Sequence, residues 1–340
     1  MKSHNTLRLL IPRNPVAVGL IAVIPSLLLL TIRIDADTGV QAWVQRYGQP
    51  GSGGQAVAVD KNGSAIVTGS SRGGGGSLDY TTIKYSRAGA PLWTNWYNGP
   101  QDSEDSAQAV AVDSSGNVIV TGYSVGSPAN PFIEFGTVKY SSEGVPVWTN
   151  RYTYPGDSSQ YGCSMLVDDS ANVIVAGYST GNISSRGYVT IKYSSAGSVL
   201  WTNRYTGPAG GDDYCRAVAV DSSGNVIVTG ESYGNGSSYD YATIKYSNTG
   251  EALWTNRYSY PGNYEDSAFS VVVDGSNNVI VTGYSDNGGS EDFLTIKYSS
   301  DGVPLWTNRY DGPEHYDERA QAAAVDASGD VIVTGYSISY

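Results

Sequence analysis

Carboxylates and tyrosines form small clusters that recur at intervals of roughly 53 residues along this chain of 340 residues. Such side chains can stack on and hydrogen-bond sugars, ligate Ca²⁺ or dock a basic partner. Two carboxyl groups about 5–10 Å apart could also cleave glycosidic bonds. The pattern predicts a ligand-binding surface and leaves its ligand open. The candidate residues are Asp102, Glu104, Asp105, Tyr161, Asp212, Asp213, Tyr214, Tyr264, Glu265, Asp266, Tyr316, Asp317 and Glu318.

A serine nucleophile is the other chemistry that the sequence suggests, because the string G-x-S-x-G occurs four times, first at 69–73. A nucleophile elbow needs a strand-to-helix turn and a histidine partner. Each copy follows a predicted strand with no helix after it, and the chain has only two His. We therefore favour a non-enzymatic binding scaffold without a cofactor, with Ca²⁺ left open. A carboxylate-based glycoside hydrolase or lyase, and a purely structural repeat of a larger surface protein, are the alternatives.

A repeat of about 53 residues positions these side chains, and its clearest copy is the segment 111–122, AVDSSGNVIVTG. Several short strands in a unit of about 40–50 residues are typical of a β-propeller. The sequence thus predicts an all-β propeller. Two markers keep the same spacing, namely Asp60, Asp113, Asp168, Asp221, Asp274 and Asp326, and Trp43, Trp93, Trp148, Trp201, Trp254 and Trp306.

One unit contains four predicted strands, A to D, at about 107–113, 117–124, 135–141 and 146–152. Strand A is small and apolar, which suits the innermost position. The D–A and B–C loops, which hold the candidate residues, then lie at one end of the blade, and the A–B and C–D turns lie at the other. Glycine recurs in both turns, but Ala171 replaces it in the third A–B turn. We expect that turn to differ, since alanine tolerates a positive φ poorly.

The other repeated polar residues are interpreted as structural. The repeated Asp is expected to accept backbone N–H groups of its own turn. The strand C lysines and strand D arginines are expected to pair between strands or blades. Trp96 breaks the arginine series, which we interpret as a local packing change. The two series are Lys84, Lys139, Lys192, Lys245 and Lys297, and Arg46, Arg151, Arg204, Arg257 and Arg309.

Three strings carry a family resemblance: AVAVDSSGNVIVTGYS at 109–124, DYATIKYS at 240–247 and LWTNRY at 200–205. Together they resemble the bacterial SBBP-type β-propeller repeat, which is similar in pattern to the NHL repeat. The resemblance covers about residues 40–340. It implies a propeller fold, often in exported or surface proteins, and it implies no shared activity, ligand or functional residues.

The two chain ends are predicted to complete the ring together. The last unit has only strands A (320–326) and B (330–337), while 31–34 resembles strand C and 41–47 resembles strand D. This predicts six four-stranded blades with a closing blade shared between the ends, which would leave no exposed edge. A fragment of a longer chain with more blades is the alternative.

The amino terminus combines basic residues with an apolar run at 16–32. This predicts a signal peptide or an uncleaved hydrophobic anchor over 1–36, followed by one propeller domain over 37–340. The protein is therefore expected to be exported to the extracellular space, periplasm or cell surface, with no membrane span unless the anchor is retained. Cleavage near Ala36 would remove the strand at 31–34.

Net charge and cysteine content restrict the partners. A formal charge of −12 argues against nucleic acid as a partner, and a polysaccharide or a protein remains the expected partner. Two cysteines cannot form a disulfide framework. Cys163 and Cys215 lie in neighbouring units, so a single bridge between blades and a pair of buried thiols are both open.

Overall fold

In the structure, a computed structural model, the described residues form 24 strands. Among the described residues there is no helix, and accordingly none that could span a membrane. The described residues are 29–34, 41–48, 51–72, 76–126, 132–153, 156, 158–181, 185–236 and 238–338.

Five complete blades follow one another, each an antiparallel sheet whose strands A to D are paired in chain order. The first blade is β3 (Gly53–Val59), β4 (Ala65–Arg72), β5 (Leu78–Tyr85) and β6 (Pro91–Tyr97). The second is β7 (Asp105–Val112), β8 (Val118–Val125), β9 (Ile133–Tyr140) and β10 (Pro146–Tyr152). The third is β11 (Ser159–Val167), β12 (Val173–Thr180), β13 (Arg186–Tyr193) and β14 (Val199–Tyr205). The fourth and fifth are β15 (Asp213–Val220), β16 (Val226–Tyr233), β17 (Tyr239–Tyr246) and β18 (Ala252–Tyr258); and β19 (Asp266–Val273), β20 (Val279–Asp286), β21 (Glu291–Tyr298) and β22 (Pro304–Tyr310).

The core lies between neighbouring blades, where both faces of the central strands B and C are buried. Their Val, Ile and Thr residues suit a pleated surface covered on both sides. Strand A is innermost, as predicted, because consecutive A strands pack side by side. Buried tyrosines of strand C reach into the next blade, where the hydroxyl of Tyr241 donates to the carbonyl of Leu294 at 3.1 Å.

The tryptophans of strand D fasten each blade to the next. The indole N–H of Trp93 donates to the carbonyl of Ser142 at 3.1 Å in the following C–D turn. Asn95 donates to the carbonyl of Gly144 at 2.7 Å in the same turn. Gly144 has φ +84°, and a Cβ there would stand 2.8 Å from the Trp93 ring. Glycine is therefore needed both for backbone conformation and for the approach of the indole.

Every innermost strand has a β-bulge near its start. In β15 the register shifts between Cys215 and Ala217, so Arg216 is the extra residue. A bulge turns a side chain out of the regular alternation. This local irregularity places Arg216 at the loop end of its blade.

The third A–B turn contradicts the expectation from its sequence. Ala171 has φ +58°, and its N–H donates to the carbonyl of Asp168 at 2.8 Å. Gly116 and Asp113 make the same turn at 2.9 Å. The Asp168 carboxylate, which also accepts the N–H groups of Ser170 and Asn172, imposes the repeat's turn on a residue that disfavours it.

The two terminal hairpins each take the predicted place beside one blade. They are β1 (Leu29–Ile34) with β2 (Gln41–Tyr47), and β23 (Glu318–Val325) with β24 (Val331–Ser337). On β2 the indole N–H of Trp43 donates to the carbonyl of Arg87 at 3.0 Å, as a strand D tryptophan should. At the other end, β23 packs beside β19.

The described residues do not show these hairpins joined into the predicted closing blade. Among the described strands, no hydrogen-bonded ladder links β24 to β1, and β23 does not pack along β3 as the other neighbouring A strands do. The reason is that each hairpin is docked on its own neighbour at opposite ends of the blade series. The structure thus contains five complete blades and two hairpins, and the six-bladed ring stays a prediction.

Candidate functional site

The turn end, meaning the A–B and C–D turns, is built on a repeated ion pair. Asp113 Oδ1 accepts the N–H groups of Ser115 and Asn117 at 3.0 and 2.9 Å. Its Oδ2 lies 3.0 Å from Lys139 Nζ, which also donates to the carbonyl of Ser195 in the next blade at 3.2 Å. These residues are structural, as predicted. The equivalent pairs are Asp60–Lys84, Asp168–Lys192, Asp221–Lys245 and Asp274–Lys297.

The loop end, meaning the D–A and B–C loops, begins with a row of buried acids at the first residue of strand A. Asp105, Asp213, Asp266 and Glu318 are at most 1% exposed. Oδ2 of Asp105 accepts the N–H of Gly99 at 2.5 Å, six residues earlier in the D–A loop, and Asp213 and Asp266 do the same at 2.7 Å. These four residues were predicted to bind ligand. Their side chains are buried, and three of them hold the loop in place, so ligand binding by these residues stays a prediction.

Burial changes the charge state of these acids. Desolvation raises the pKa of Asp105, Asp213 and Asp266 above the ordinary range. For Asp266 the pKa rises to about 6, with the nearby Asp240 carboxylate adding to the effect of burial. The strand B serines Ser124, Ser232 and Ser285 and the loop N–H groups offset part of this rise.

The strand D arginines link strands B and C of their own blade to the preceding blade. Arg257 Nη2 lies 2.7 Å from Asp240 Oδ2 on strand C. Its Nη1 donates to Ser232 on strand B and, at 3.0 Å, to the hydroxyl of Tyr205 in the preceding blade. The arginines are therefore blade-to-blade connectors, as predicted. Arg151 with Glu134 and Arg309 with Asp292 repeat the ion pair.

Trp96 interrupts this network in the first blade. It is 51% exposed, and the preceding tyrosine, Tyr47, has a buried hydroxyl with no partner among the described residues. Arginine at the equivalent position of the other blades supplies that partner. Trp96 is thus a local packing change, which agrees with its interpretation from sequence.

A continuous line of aromatic rings runs over the loop end of the second, third and fourth blades. Tyr161 and Tyr178 are paired across β11 and β12 and stack with centroids 5.2 Å apart. Tyr178 meets Tyr214 of the next blade edge to face at 5.0 Å. The other steps measure 5.6 to 6.0 Å. We call this line the tyrosine array, in the order Tyr123, Tyr161, Tyr178, Tyr214, Tyr239 and Tyr233.

Arg186 and Asp212 form one polar edge of the tyrosine array. Arg186 Nη1 lies 2.7 Å from Asp212 Oδ2 and 2.7 Å from the hydroxyl of Tyr214. The guanidinium also lies 5.3 Å from the centre of the Tyr214 ring. Asp212 further accepts the backbone N–H of Arg186 at 2.9 Å. This fixes the orientation of the central ring of the array.

Arg216 and Glu231 form a second polar edge of the tyrosine array. Arg216 Nη2 lies 2.5 Å from Glu231 Oε1, and its guanidinium lies 5.4 Å from the centre of the Tyr214 ring. The hydroxyl of Ser267 donates to Glu231 Oε2. Two guanidinium groups therefore lie within 5.4 Å of the centre of the Tyr214 ring, and each is paired with a carboxylate. Burial and the neighbouring Tyr214 and Asp212 raise the pKa of Tyr239 to about 12, so its hydroxyl stays protonated.

A second, separate cluster occupies the loop end between the fifth blade and β23. Arg319 forms a two-point contact with Glu291 through Nε and Nη2, and its guanidinium lies 4.4 Å from the centre of the Tyr284 ring. Tyr284 donates to Glu265. Asp317 Oδ1 accepts the N–H of Glu291 at 3.2 Å. Glu265 and Asp317 are thus brought together through Tyr284 and Arg319.

The remaining predicted residues lie around these clusters. Asp102 accepts from Asn98 at 2.7 Å, and Glu104 accepts from the Tyr123 hydroxyl at 3.3 Å. Tyr264 and Tyr316 are both 40% exposed. Glu104 therefore borders the tyrosine array through Tyr123, while Asp102 belongs to the D–A loop of the first blade.

The sequence prediction included Asp212 but missed part of the tyrosine array and the other three residues of its polar edges. Tyr178, Arg186, Arg216 and Glu231 were not selected, although Arg186 and Glu231 are departures from the repeat. Glu231, for instance, stands where Tyr123 and Tyr178 stand in the preceding units. Departures of a single unit from its neighbours were the available signal.

Cys215 is buried, with Sγ 3.9 Å from the carbonyl oxygen of Ala217. The side chain of Cys163 lies outside the described residues, so the bridge between these two cysteines stays a prediction. The residues 1–28, which hold most of the predicted leader, also lie outside them. One group of carboxylates among the described residues, Asp292, Asp311 and Glu318, is close enough to share a cation.

The fold and the loop-end geometry define a β-propeller. Residues 201–236 match the family model described as the SBBP β-propeller repeat. The same strand order and the same Asp–Lys pair recur in all five complete blades. Residues 201–236 are therefore an SBBP-type β-propeller repeat, which confirms the resemblance found in the sequence, and the other complete blades share its strand order and ion pair.

Known proteins of similar sequence or structure agree with the fold. A curated relative, the uncharacterized WD repeat-containing protein L264 of Acanthamoeba polyphaga mimivirus, is 25% identical over 205 residues, and the match spans 48% of this chain but 14% of that protein. Hydrazine synthase of Kuenenia stuttgartiensis matches with a TM-score of 0.56 at 9% identity over 91% of this chain and 90% of that chain. The periplasmic gluconolactonase PpgL of Pseudomonas aeruginosa matches with a TM-score of 0.50 at 12% identity over 90% of both chains. These likenesses show the fold alone.

Proposed function

We propose that this β-propeller is a non-enzymatic binding module whose loop end takes a neutral polysaccharide along the tyrosine array. The observation that carries the proposal is the continuity of that array across three blades. Six rings follow one another at centroid distances of 5.0 to 6.0 Å. A line of aromatic rings can stack on successive sugar units, whose faces are apolar and whose edges carry hydroxyl groups.

The rings are held in a fixed arrangement before any ligand arrives. Tyr161 and Tyr178 are paired residues of one sheet, and Tyr214 is held by Arg186 and Asp212. Rigid aromatic side chains lose little conformational entropy on binding. This pre-organisation supports a role in recognition.

The charges beside the tyrosine array favour an uncharged ligand. The Arg186–Asp212 and Arg216–Glu231 pairs each combine one positive and one negative group. The centre of the array therefore has no excess charge, although the chain as a whole is acidic. A strongly anionic or cationic polymer would have to compete with these internal pairs, whereas a neutral sugar would not.

The carboxylates at the tyrosine array support binding over catalysis. Glycoside cleavage uses one carboxyl group as an acid and a second as a nucleophile or base. Asp212 is held by Arg186 and Tyr214, while Glu231 is held by Arg216 and Ser267. Both carboxylates are thus already engaged in an ion pair and a further hydrogen bond. A carboxylate-based hydrolase or lyase is the alternative that the experiment below addresses.

We further propose that the protein is exported, on the basis of the basic and apolar segment at 1–36. Residues 29–34 of that segment form β1, so cleavage near Ala36 would leave β2 without its partner. Mass spectrometry of the mature protein would locate its first residue. A first residue after 34 supports cleavage, and an intact amino terminus on membranes supports an anchor.

The binding proposal is tested by depletion of the purified full chain onto insoluble neutral and acidic polysaccharides. We expect depletion by a neutral polymer without the appearance of new reducing ends. Tyr161→Ala and Tyr214→Ala should each weaken the binding about tenfold, since an aromatic contact contributes roughly 1 kcal/mol or more. Tyr310→Ala is the matched control, because Tyr310 is a 55% exposed tyrosine outside the array.

The outcomes separate the alternatives. Depletion that survives both array substitutions would place the binding surface elsewhere and contradict the proposal. New reducing ends that vanish in Asp212→Asn or Glu231→Gln would make the protein an enzyme. Depletion by acidic polymers alone would contradict the preference for a neutral ligand.

A further inference from the structure

Three carboxylates from three different elements meet at the junction between the fifth blade and β23. Asp292 lies on β21, Asp311 directly follows β22, and Glu318 begins β23. Each offers one oxygen, and these oxygens all lie within 4.8 Å of one another. Asp292 and Glu318 are 1% exposed, whereas Asp311 is open to solvent. The cluster thus has two buried walls and one open side.

Glu318 departs from the repeat at this position. Aspartate in β7, β15 and β19 uses its shorter side chain to accept a loop N–H group. The longer Glu318 places Oε1 against Gly312, where it accepts from the Ser337 hydroxyl at 2.9 Å. Its Oε2 is buried and has no donor among the described residues. A buried carboxylate oxygen without a donor is costly unless a proton or a cation supplies the missing contact.

The counter-charges at this junction are already used. Arg309 Nε contacts Asp292 Oδ2, and His315 Nδ1 lies 2.6 Å from Asp311 Oδ2. Glu318 has no cationic partner among the described residues. The cluster therefore has more negative than positive charge, even if His315 is protonated.

The preceding junction provides a natural comparison. There Asp240 and Asp266 occupy the places of Asp292 and Glu318, but Ser259 stands where Asp311 stands. Asp266 accepts the N–H of Tyr260 at 2.7 Å. Two carboxylates and a serine cannot surround a cation as three carboxylates can. The third acid and the longer side chain both appear at one junction only among the described blades.

We propose that Asp292, Asp311 and Glu318 bind one divalent cation, with Ca²⁺ as the fitting ion. Hard cations take oxygen ligands, and Ca²⁺–oxygen distances of about 2.3–2.6 Å allow ligand atoms up to about 5 Å apart. Mg²⁺, with distances of about 2.0–2.1 Å, needs a tighter set. Water completes the coordination on the open side. The ion ties β21 to the loop 311–317, which carries Tyr316 and Asp317 of the loop end.

The site is tested with chelator-treated full-length protein, by calorimetric titration with Ca²⁺ and Mg²⁺ and by Tb³⁺ luminescence excited through tyrosine. We expect one Ca²⁺ per chain, at least tenfold weaker binding of Mg²⁺, and a melting temperature that rises with Ca²⁺. Glu318→Gln and Asp311→Asn should each weaken Ca²⁺ binding at least tenfold. Asp266→Asn, the equivalent change one junction earlier, is the control and should leave Ca²⁺ binding unchanged.

The opposite results are equally clear. Glu318→Gln that binds Ca²⁺ as the original chain does would overturn the proposal, as would a melting temperature independent of Ca²⁺. Circular dichroism of each variant shows whether the sheets are intact. Asp311 is exposed, so Asp311→Asn keeps the test valid if Glu318→Gln does not fold.

Discussion

The two ends of strand β19 carry aspartates with opposite behaviour. Asp266 begins the strand at the loop end, and Asp274 follows it at the turn end. Both are almost fully buried. Burial raises the pKa of Asp266 to about 6. It also acts on Asp274, but hydrogen bonds from Lys297, Asn278 and the turn outweigh it and lower the pKa to about 2.

The two pKa values differ because the two carboxylates have different hydrogen-bond donors. Asp274 receives two N–H groups from residues two and four positions along, and a lysine 2.8 Å away. Asp266 receives one N–H from the D–A loop, while the Asp240 carboxylate repels its charge. A buried carboxylate with enough hydrogen-bond donors stays charged and stabilises its turn. A buried carboxylate with few donors has a raised pKa, a property that is common at functional sites.

The same contrast holds for the whole molecule. At the turn end, five blades repeat one ion pair with N–O distances of 2.8 to 3.0 Å. At the loop end, no two junctions have the same set of acids, arginines and tyrosines. A residue set that repeats in every blade indicates a structural role. A residue set found in one blade only is a candidate for a role specific to that blade.

The largest expected effect comes from breaking a turn-end pair. Lys192 is fully buried, with Nζ 3.0 Å from Asp168 Oδ2. Lys192→Ala leaves a buried aspartate without its partner, which should lower the free energy of unfolding by about 3–5 kcal/mol. Urea unfolding followed by circular dichroism measures this change.

Arg186→Ala is the matching change at the loop end. That pair is a third exposed, so it should cost at most about 1 kcal/mol. Equal losses in Lys192→Ala and Arg186→Ala would contradict the division between a structural turn end and a loop end proposed to bind a ligand.

The two aspartates of β19 give opposite dependences of stability on pH. The unfolded pKa is about 3.9, so between about pH 4 and 6 folded Asp266 binds more protons than the unfolded chain. Its contribution to stability is full below about pH 4 and is lost as pH rises through about 6. Asp266→Asn removes this loss, so the variant should gain on the original chain by up to about 3 kcal/mol over that range.

Asp274→Asn should show the reverse. The folded pKa of about 2 lies below the unfolded value, so the contribution of Asp274 is present above about pH 4 and is lost as pH falls through about 2. The variant should therefore be less stable than the original chain at pH 7 and approach it in acid. Urea unfolding at a series of pH values measures both variants. If their free energies of unfolding changed with pH in the same direction relative to the original chain, the predicted opposition between Asp266 and Asp274 would be contradicted.

The sequence could predict the residues whose partners are close along the chain, and it could not predict those whose partners are distant. The role of Asp113 was predictable because its partners lie two and four residues away. The burial of Asp213 was not predictable, since it depends on how the D–A loop folds back over it. Arg186 and Asp212 come from neighbouring blades, 26 residues apart, and no local pattern announces such a pair. Closure of the ring is more distant still, because it requires β1 to reach β24.

The smallest expected effect tests how strongly the turn end imposes its geometry. Ala171 adopts φ +58°, a conformation that costs an L-residue about 1–2 kcal/mol and glycine almost nothing. Ala171→Gly should raise the free energy of unfolding by about 1 kcal/mol, since the glycine loses some entropy on folding in return. Ala196→Gly, in the other turn of the same blade, lacks a positive φ and should be neutral or destabilising. A gain in stability in both variants would mean that flexibility, and not relief of strain, stabilises this blade. A gain in Ala171→Gly alone would show that the Asp168 carboxylate holds the turn in the conformation of the repeat, although alanine disfavours that conformation.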